Sequence, residues 1–413
     1  MHLKQLTLTH FRNYARLELD LPARISVFSG GNAQGKTNLL EAIYYLATTR
    51  SPLASSDRQL INWAADREAI PYARLEALFA RAGQDHTIEM TLVKGIQSDG
   101  DAVSKTFRRQ IRLDGVLRGA FDAVGTLNVV LFLPEDISLV AGSPAERRRY
   151  LDITLCQIDR VYCRSLSRYN RVVRQRNALL RQICASHADP NQLDYWDEQL
   201  SNLGSYVLSR RLWATHELAR HAVKIHLALT GGQERLQLRY HGSVTGQVPC
   251  PASGLSDEEE MWASENDAMH VSGLAASFLT ALRAARAEEI ARAVTVLGPH
   301  RDDLRFLVND RDATIFASRG QQRTLVLALK LAEVELMRGQ TGEMPILLLD
   351  DVISELDEHR AHFLLQSLAH TQQVLITTTN EDCFTADFLA SAVLWRIHDG
   401  SILRLDQPTP TGG

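Results

Sequence analysis

The sequence predicts a discontinuous α/β head enclosing an α-helical lobe, and three observations carry that prediction. Near the start an apolar strand runs into a glycine-rich turn and then a helix. Near the end a second apolar strand runs into two aspartates. Between them lies a long, arginine-rich stretch with helical patterning. The first two features belong together at the carboxyl ends of strands in an open α/β sheet, where such sheets bind ligands. The third interrupts them.

The totals agree with this division. At 413 residues the chain suggests two or three domains, discontinuous ones included. Its hydrophobic content of 45% and charged content of 23% are globular averages and point away from disorder or a fibrous repeat. The opening MHLKQLTLTHF lacks a charged segment followed by an apolar one, and no stretch approaches eighteen uninterrupted apolar residues. A cytoplasmic protein without a membrane partner is therefore expected. Cys156, Cys163, Cys184, Cys250 and Cys383 form no C-x-x-C pair, which fits reduced thiols better than disulfides or zinc. His216, His221 and His226 are spaced by five, a step that turns a helix well past one face, so they cannot share a metal. The formal net charge of −4 argues against nucleic acid coating the whole surface but leaves room for one basic face.

LTLTHF and LELDL alternate with period two, as half-buried strands do, and ISVF reads as a buried strand. It leads into Gly30-Gly31-Asn32-Ala33-Gln34-Gly35-Lys36-Thr37, which fits G-x-x-x-x-G-K-[ST], followed by Asn38 and an apolar helical pattern. Each part has a physical purpose. Glycines let backbone N–H groups wrap phosphate oxygens, and the helix N-terminus adds partial positive charge. Lys36 reaches the terminal phosphates and Thr37 offers its hydroxyl to Mg²⁺. ATP with Mg²⁺ is the expected cofactor.

The second half-site begins after Pro345. Ile346 to Leu349 form a buried strand that delivers Asp350 and Asp351 at its carboxyl end. Asp350 suits Mg²⁺, and Asp351 suits polarisation of an attacking water. A further strand, VLITTT, ends in Thr378, Thr379 and Asn380, three candidates to sense a γ-phosphate. Just upstream, Ser318 and Gly320 stand before a helix with Leu325, Leu327, Leu329 and Leu331 among its apolar residues. A second anion-binding helix tip has a natural use in capping the nucleotide of another copy of the chain; its plainer use is as an ordinary N-cap on a core helix.

These residues resemble the RecF family of bacterial recombination-repair ATPases, which are related to the SMC and ABC-type heads. Six stretches carry the resemblance in the family's order: LTLTHFRNY, GGNAQGKTNLLEAIYYLATTRS, FLPEDISLVAGSPAERRRYLD, GPHRDDLRF, SRGQQRTLVLALKLAE and ILLLDDVISELD. The resemblance implies an ABC/SMC-type P-loop head, with ATP sandwiched between two copies and Ser318, Gly320 and Gln321 of one completing the site of the other. It also implies a weak, DNA-stimulated ATPase that dimerises on ATP, binds single-stranded DNA and gapped duplex junctions, and helps to load RecA with RecO and RecR. Two positions depart from related proteins. Thr378 and Thr379 lie where many ABC-type ATPases keep a histidine, and PLASSDRQL follows Arg50-Ser51 where the family usually has more basic residues, leaving Arg58 nearby.

In the middle, Arg147 to His226 holds 14 Lys/Arg against 7 Asp/Glu. If Leu151 to Ile183 is one helix, then 100° per residue gathers Arg160, Arg164, Arg168, Arg171, Arg174 and Arg181 within an arc of about 140°. Ile158, Tyr162, Leu166, Tyr169, Val173, Leu180 and Ile183 fall opposite. Such a stripe is either a solvated face or a track for a nucleic-acid backbone, whose phosphates the arginine fork suits; the resemblance favours the track and assigns Arg160, Arg164, Arg168, Arg171 and Arg174 to DNA. A second helical run follows Asp189-Pro190, SDEE at Ser256 to Glu259 fits a capping box, and AASFLTALRAARAEEIARAV leads back to the head.

The expected domains are an ATPase head over 1–145 and 290–405, a helical lobe over 146–289 and a flexible tail over 406–413. Glu135 and Asp136 in FLPEDISL suit either Mg²⁺ chemistry or a helix N-terminus. GPHRDDL suits a structural junction, and Arg12 is a possible nucleotide contact. Hydrolysis is expected to be slow and to release DNA. The alternative is a nucleotide-switched protein scaffold without direct DNA contact. A transporter's ATPase subunit fits less well, because the inserted lobe is large and arginine-rich.

Overall fold

The computed structural model describes residues 1–99, 102–250, 268–368 and 371–405. Ser256 to Glu259 and the 406–413 tail lie outside them. The chain forms two compact units: Met1–Glu135 together with the chain from Met337 onward, and Asp136–Leu336. Residues 136–145 and 290–336, expected with the head, thus pack in the second unit.

The first unit contains two six-stranded sheets. One is antiparallel, built from β1 (His2–Phe11), β2 (Tyr14–Asp20), β4 (Tyr72–Arg81), β5 (Gln84–Asp99), β6 (Ala102–Leu113) and β7 (Val116–Arg118) in the order β2-β1-β4-β5-β6-β7. The period-two alternation of β1 becomes physical here: Leu6 and Leu8 are fully buried while Thr7 and Thr9 are not, and a register shift between Leu3 and Gln5 puts Leu3 on the buried side as well.

The other sheet contains β3 (Ile25–Ser29), β8 (Val129–Phe132), β13 (Ile346–Asp350), β14 (Val374–Thr378), β15 (Val393–His398) and β16 (Ser401–Arg404), in the order β16-β15-β3-β14-β13-β8. Its strands pair in parallel except for β16. Every residue of β8, β13 and β14 is buried, which explains their unbroken apolar runs: a parallel strand covered on both faces has no solvent side to alternate with. Helix α1 (Lys36–Thr48) follows β3, with eleven of its thirteen residues buried.

The second unit carries the long helices: α2 (Pro144–Ile158), α3 (Arg160–Cys184), α4 (Leu193–Leu229), α5 (Ala268–Arg292) and the start of α6 (Arg319–Thr341). It is not purely helical as expected, for β9 (Leu236–Gly242), β10 (Gly246–Cys250), β11 (Asp303–Val308) and β12 (Arg311–Asp312) form an antiparallel sheet in the order β10-β9-β11-β12. Leu236, Leu238, Tyr240, Leu304 and Phe306 from this sheet join the same core as Leu200, Leu208, Phe278 and Leu325 from the helices.

Leu151 to Ile183 is not one helix. Asp159 is extended (φ −137°, ψ 101°), and its carboxylate accepts the Tyr162 backbone N–H at 2.8 Å, ending α2 and capping α3. The amphipathic pattern survives on α3 alone: Arg160, Arg164, Arg168, Arg171, Arg174 and Arg181 are exposed, and Tyr162, Tyr169, Val173, Leu180 and Ile183 are buried.

One arginine of α3 turns the other way. Arg176 is fully buried and donates from Nε to Asp197 at 2.8 Å, from Nη2 to Glu289 at 2.6 Å and from Nη1 to Thr295 at 2.9 Å. A buried cation with this many partners ties α3, α4 and α5 together, and removing it leaves buried Glu289 without its cation and Asp197 with Arg286 alone. Arg176→Met is expected to lower stability by about 3–5 kcal/mol in a denaturant titration; a loss below about 1 kcal/mol would show that the network is replaceable by packing.

Candidate nucleotide site

The site is assembled by strand order. β14 lies between β3 and β13, so that Thr378 pairs with Ser29 on one side and Thr377 with Asp350 on the other. The glycine loop leaving β3, the aspartates leaving β13 and the threonines ending β14 therefore converge at one sheet edge. Local sequence named the three segments; the glycine loop joins the other two through the pairing of β3 with β14, more than three hundred residues further along the chain.

The loop is tightly buttressed. Gly35 has φ +115°, and a Cβ there would lie 2.6 Å from Asn13 Nδ2, so glycine is required on both counts. A Cβ on Gly30 would lie 2.5 Å from the Ile397 carbonyl oxygen. Asn13 Nδ2 donates to the Gln34 carbonyl at 3.0 Å, Tyr14 Oη to the Gly35 carbonyl at 2.8 Å, and Asn38 Nδ2 to Asn13 Oδ1 at 2.8 Å. Gln34 Oε1 accepts the Asp399 backbone N–H at 2.6 Å. Gly31, Asn32 and Ala33 form the exposed rim, with Ala33 in the left-handed region at φ +61°. The Asn-Tyr pair of LTLTHFRNY is thus a support for the phosphate loop, a role that no local pattern announces.

Lys36 is buried and donates from Nζ to the carbonyls of Gly30 at 2.7 Å and Gly31 at 2.8 Å. Burial pulls its pKa below the ordinary lysine value, against the opposing charges of Asp351 and Asp350. Asp350 is buried and accepts the Thr377 hydroxyl at 2.6 Å. Desolvation raises its pKa; hydrogen bonds from the Thr377 and Thr37 hydroxyls act the other way, and the charges of Asp351 and Glu135 add to the rise. Thr37 and Asp350 thus bring a hydroxyl and a carboxylate oxygen together, a hard-donor pair that fits Mg²⁺.

Asp351 sits at φ +50°, and its carboxylate accepts from Ser354 Oγ at 3.0 Å and Thr379 Oγ1 at 3.3 Å. The three candidate sensors separate on this geometry. Thr378 Oγ1 donates to the Asn380 carbonyl at 2.7 Å and Asn380 Oδ1 accepts the Asp382 backbone N–H at 2.9 Å, whereas the Thr379 hydroxyl donates to Asp351 at 3.3 Å and so stands beside the paired aspartates.

Arg12, the possible nucleotide contact, is held elsewhere: its Nε and Nη2 grip Glu41 at 2.7 and 2.8 Å, where Ser51 Oγ also donates. Glu41 is almost fully buried in α1 and needs that cation. Arg50 is exposed.

In the second unit Ser318 precedes α6. Its backbone N–H donates to Gln321 Oε1 at 2.8 Å, and the Gln321 N–H donates to Ser318 Oγ at 3.3 Å, a reciprocal cap. Ser318, Arg319 and Gly320 are exposed, as are Ile315 and Phe316 just before them. Asp136 pairs with Lys330 of α6 at 3.5 Å. The GPHRDDL residues are structural: His300 Nδ1 meets the Tyr169 hydroxyl at 2.7 Å, with its pKa pushed by burial to about 4, and buried Asp302 accepts Tyr240 and Ser243.

Sheet order, phosphate loop and paired aspartates define an ATPase head of the ABC and SMC class, here with a largely helical second unit inserted. Comparison with known proteins narrows this. The RecF/RecN/SMC N-terminal domain model matches residues 2–394. The DNA replication and repair protein RecF of Chloroflexus aurantiacus is 43% identical over 409 residues, covering 97% of this chain and 99% of that protein; the Bacillus subtilis RecF is 38% identical over 405 residues, covering 98% and 100%. A solved structure of the recombination mediator RecF with ATP, from the RecFOR pathway, superposes with a TM-score of 0.81 at 28% identity, covering 98% of each chain. An Smc head from Pyrococcus furiosus, at a TM-score of 0.50 and 14% identity, covers 98% of this chain and 96% of its own and shares the fold alone. The chain belongs to the RecF family of DNA replication and repair proteins. Among the described residues, no helix is long and apolar enough to cross a membrane.

Proposed function

We propose that this chain binds ATP with Mg²⁺, dimerises on it, and uses the dimer to grip DNA. The convergence of Lys36, Thr37, Asp350, Asp351 and Thr379 at the ends of three neighbouring strands carries the reading. Backbone N–H groups from Gly30 to Gly35 and the N-terminus of α1 would cradle the phosphates, with Asn38 supporting the loop through Asn13. Lys36 would move from the loop carbonyls to the terminal phosphates. Thr37 and Asp350 would hold Mg²⁺, which neutralises charge on the β- and γ-oxygens when bound. Asp351, oriented by Thr379 and Ser354, would position the attacking water.

The turn at exposed Ser318 and Gly320 and half-buried Gln321 would close the nucleotide site of a second copy, flanked by exposed Ile315 and Phe316. Hydrolysis would be slow, stimulated by DNA, and would release it. Single-stranded and gapped duplex DNA are the substrates we assign, with RecO, RecR and RecA as partners in the cytoplasm. The RecFOR pathway of the solved relative supports this assignment.

The arginine face of α3 would carry the DNA backbone. Replacing Arg164, Arg168 and Arg171 together with Ala is expected to weaken binding and to reduce the slope of log affinity against log salt by up to about 3 units. An unchanged slope would make the stripe a solvated face. The direct test of the whole reading is fluorescence-anisotropy binding to gapped duplex, plain duplex and single strand, with ATP, with a non-hydrolysable analogue and without nucleotide. Nucleotide-dependent binding that involves duplex supports the clamp; equal weakness in every case favours a nucleotide-switched protein scaffold.

A further inference from the structure

Gln321 is held from both ends. Its Oε1 accepts the Ser318 backbone N–H, and its Nε2 donates to Glu234 Oε1 at 2.8 Å. The other carboxylate oxygen of Glu234 meets Nε2 of His226, a fully buried residue in the last turn of α4, at 3.2 Å. Glu234 lies in the segment between α4 and β9, and its backbone N–H donates to Thr230 Oγ1 at 3.4 Å. A hydrogen-bonded chain thus runs from the interior of the second unit to the exposed turn that opens α6.

The chemistry of this chain has a direction. A carboxylate only accepts, so it fixes which way the Gln321 amide faces: the NH₂ toward Glu234 and the oxygen toward Ser318. The reversed amide would set a donor against the Ser318 N–H. With the amide fixed, the Gln321 backbone N–H donates to Ser318 Oγ, and the hydroxyl hydrogen of that exposed serine is left to donate outward. An outward donor at a helix N-terminus suits a phosphate oxygen.

We infer that Glu234 is a positioning residue for the Ser318 turn, acting through Gln321 to present the serine hydroxyl as a donor to the nucleotide bound by a second copy of the chain. This rests on the proposed trans contact of Ser318. Glu234 touches no reacting atom; it sets the state of the residue that does.

The test uses the full chain. Glu234 retains 19% side-chain exposure and lies outside the main core, so Glu234→Ala should fold, which its melting temperature checks. Fluorescent ATP-analogue binding should stay at the wild-type value, because the phosphate loop is untouched. ATP-dependent dimerisation, read by sedimentation, should need about tenfold more protein, the scale of one lost hydrogen bond to a charged group. Glu234→Gln keeps the shape but can donate as well as accept, so it no longer fixes the Gln321 amide and should give a smaller loss of the dimer; because it is isosteric, it also serves as the readout should the alanine variant unfold. In a Gln321→Ala background, Glu234→Ala should add nothing further.

Wild-type dimerisation by folded Glu234→Ala or by Glu234→Gln, or an additive effect in the Gln321→Ala background, would each overturn the inference. Ser318→Arg separates the two levels. If it abolishes dimers while Glu234→Ala leaves them intact, only the positioning role falls. If dimers survive both changes, the trans contact falls with it.

Discussion

Lys36→Arg is expected to lower ATP hydrolysis by about 100-fold or more while leaving nucleotide binding measurable. The lysine ammonium is a compact charge that meets two loop carbonyls at 2.7 and 2.8 Å inside a buried turn. A guanidinium is planar, bulkier and fixed in its donor directions, so it cannot take the same place or follow the charge that develops on the transferred phosphoryl group. The backbone N–H groups of the loop remain, and they carry much of ground-state phosphate binding. Phosphate release under saturating ATP, alongside equilibrium binding of a fluorescent analogue, separates the two effects. Turnover at the wild-type rate would remove the phosphate-loop assignment.

Ser318→Arg is expected to abolish the ATP-dependent dimer without affecting ATP binding by the monomer. Ser318 is exposed, so an arginine there meets solvent in the single chain and should leave folding intact. At a helix tip that closes on the nucleotide of a second copy, the same side chain removes the cap and fills the space meant for a phosphate. Sedimentation with a non-hydrolysable analogue reads the outcome directly. Dimers at the wild-type concentration would return the Ser318-Gln321 cap to an ordinary helix start.

These experiments separate what local chemistry writes into the chain from what packing adds. The strand, glycine loop and helix from Ile25 to Thr48, and the strand ending in Asp350 and Asp351, were legible because each is a contiguous pattern with a fixed period and a turn residue dictated by backbone geometry. The arginine stripe was legible for the same reason, since helix periodicity sorts its exposed and buried faces. One expectation failed and one residue went unread, for reasons local as well as tertiary. Asp159 is an N-cap residue, but in an otherwise helical pattern only the packing of two helices decides that the chain breaks there. Arg176 shares the apolar face of α3, a signal that periodicity offered, yet its burial depends on Asp197 and Glu289 arriving from other helices.

By itself, then, the sequence determined which segments are phosphate loop, carboxylate strand, capped helix start and basic helix, because those are properties of neighbours along the chain. Only the tertiary structure decided that β14 separates β3 from β13 and sets Thr377 against Asp350, that Asn13 and Tyr14 support the loop, that residues 136–145 and 290–336 pack in the second unit with a sheet of their own, and that Glu234 holds Gln321. Those contacts join residues up to hundreds of positions apart. Strand order and side-chain partnership are set by which surfaces bury one another, a property of the whole fold that no window along the chain contains.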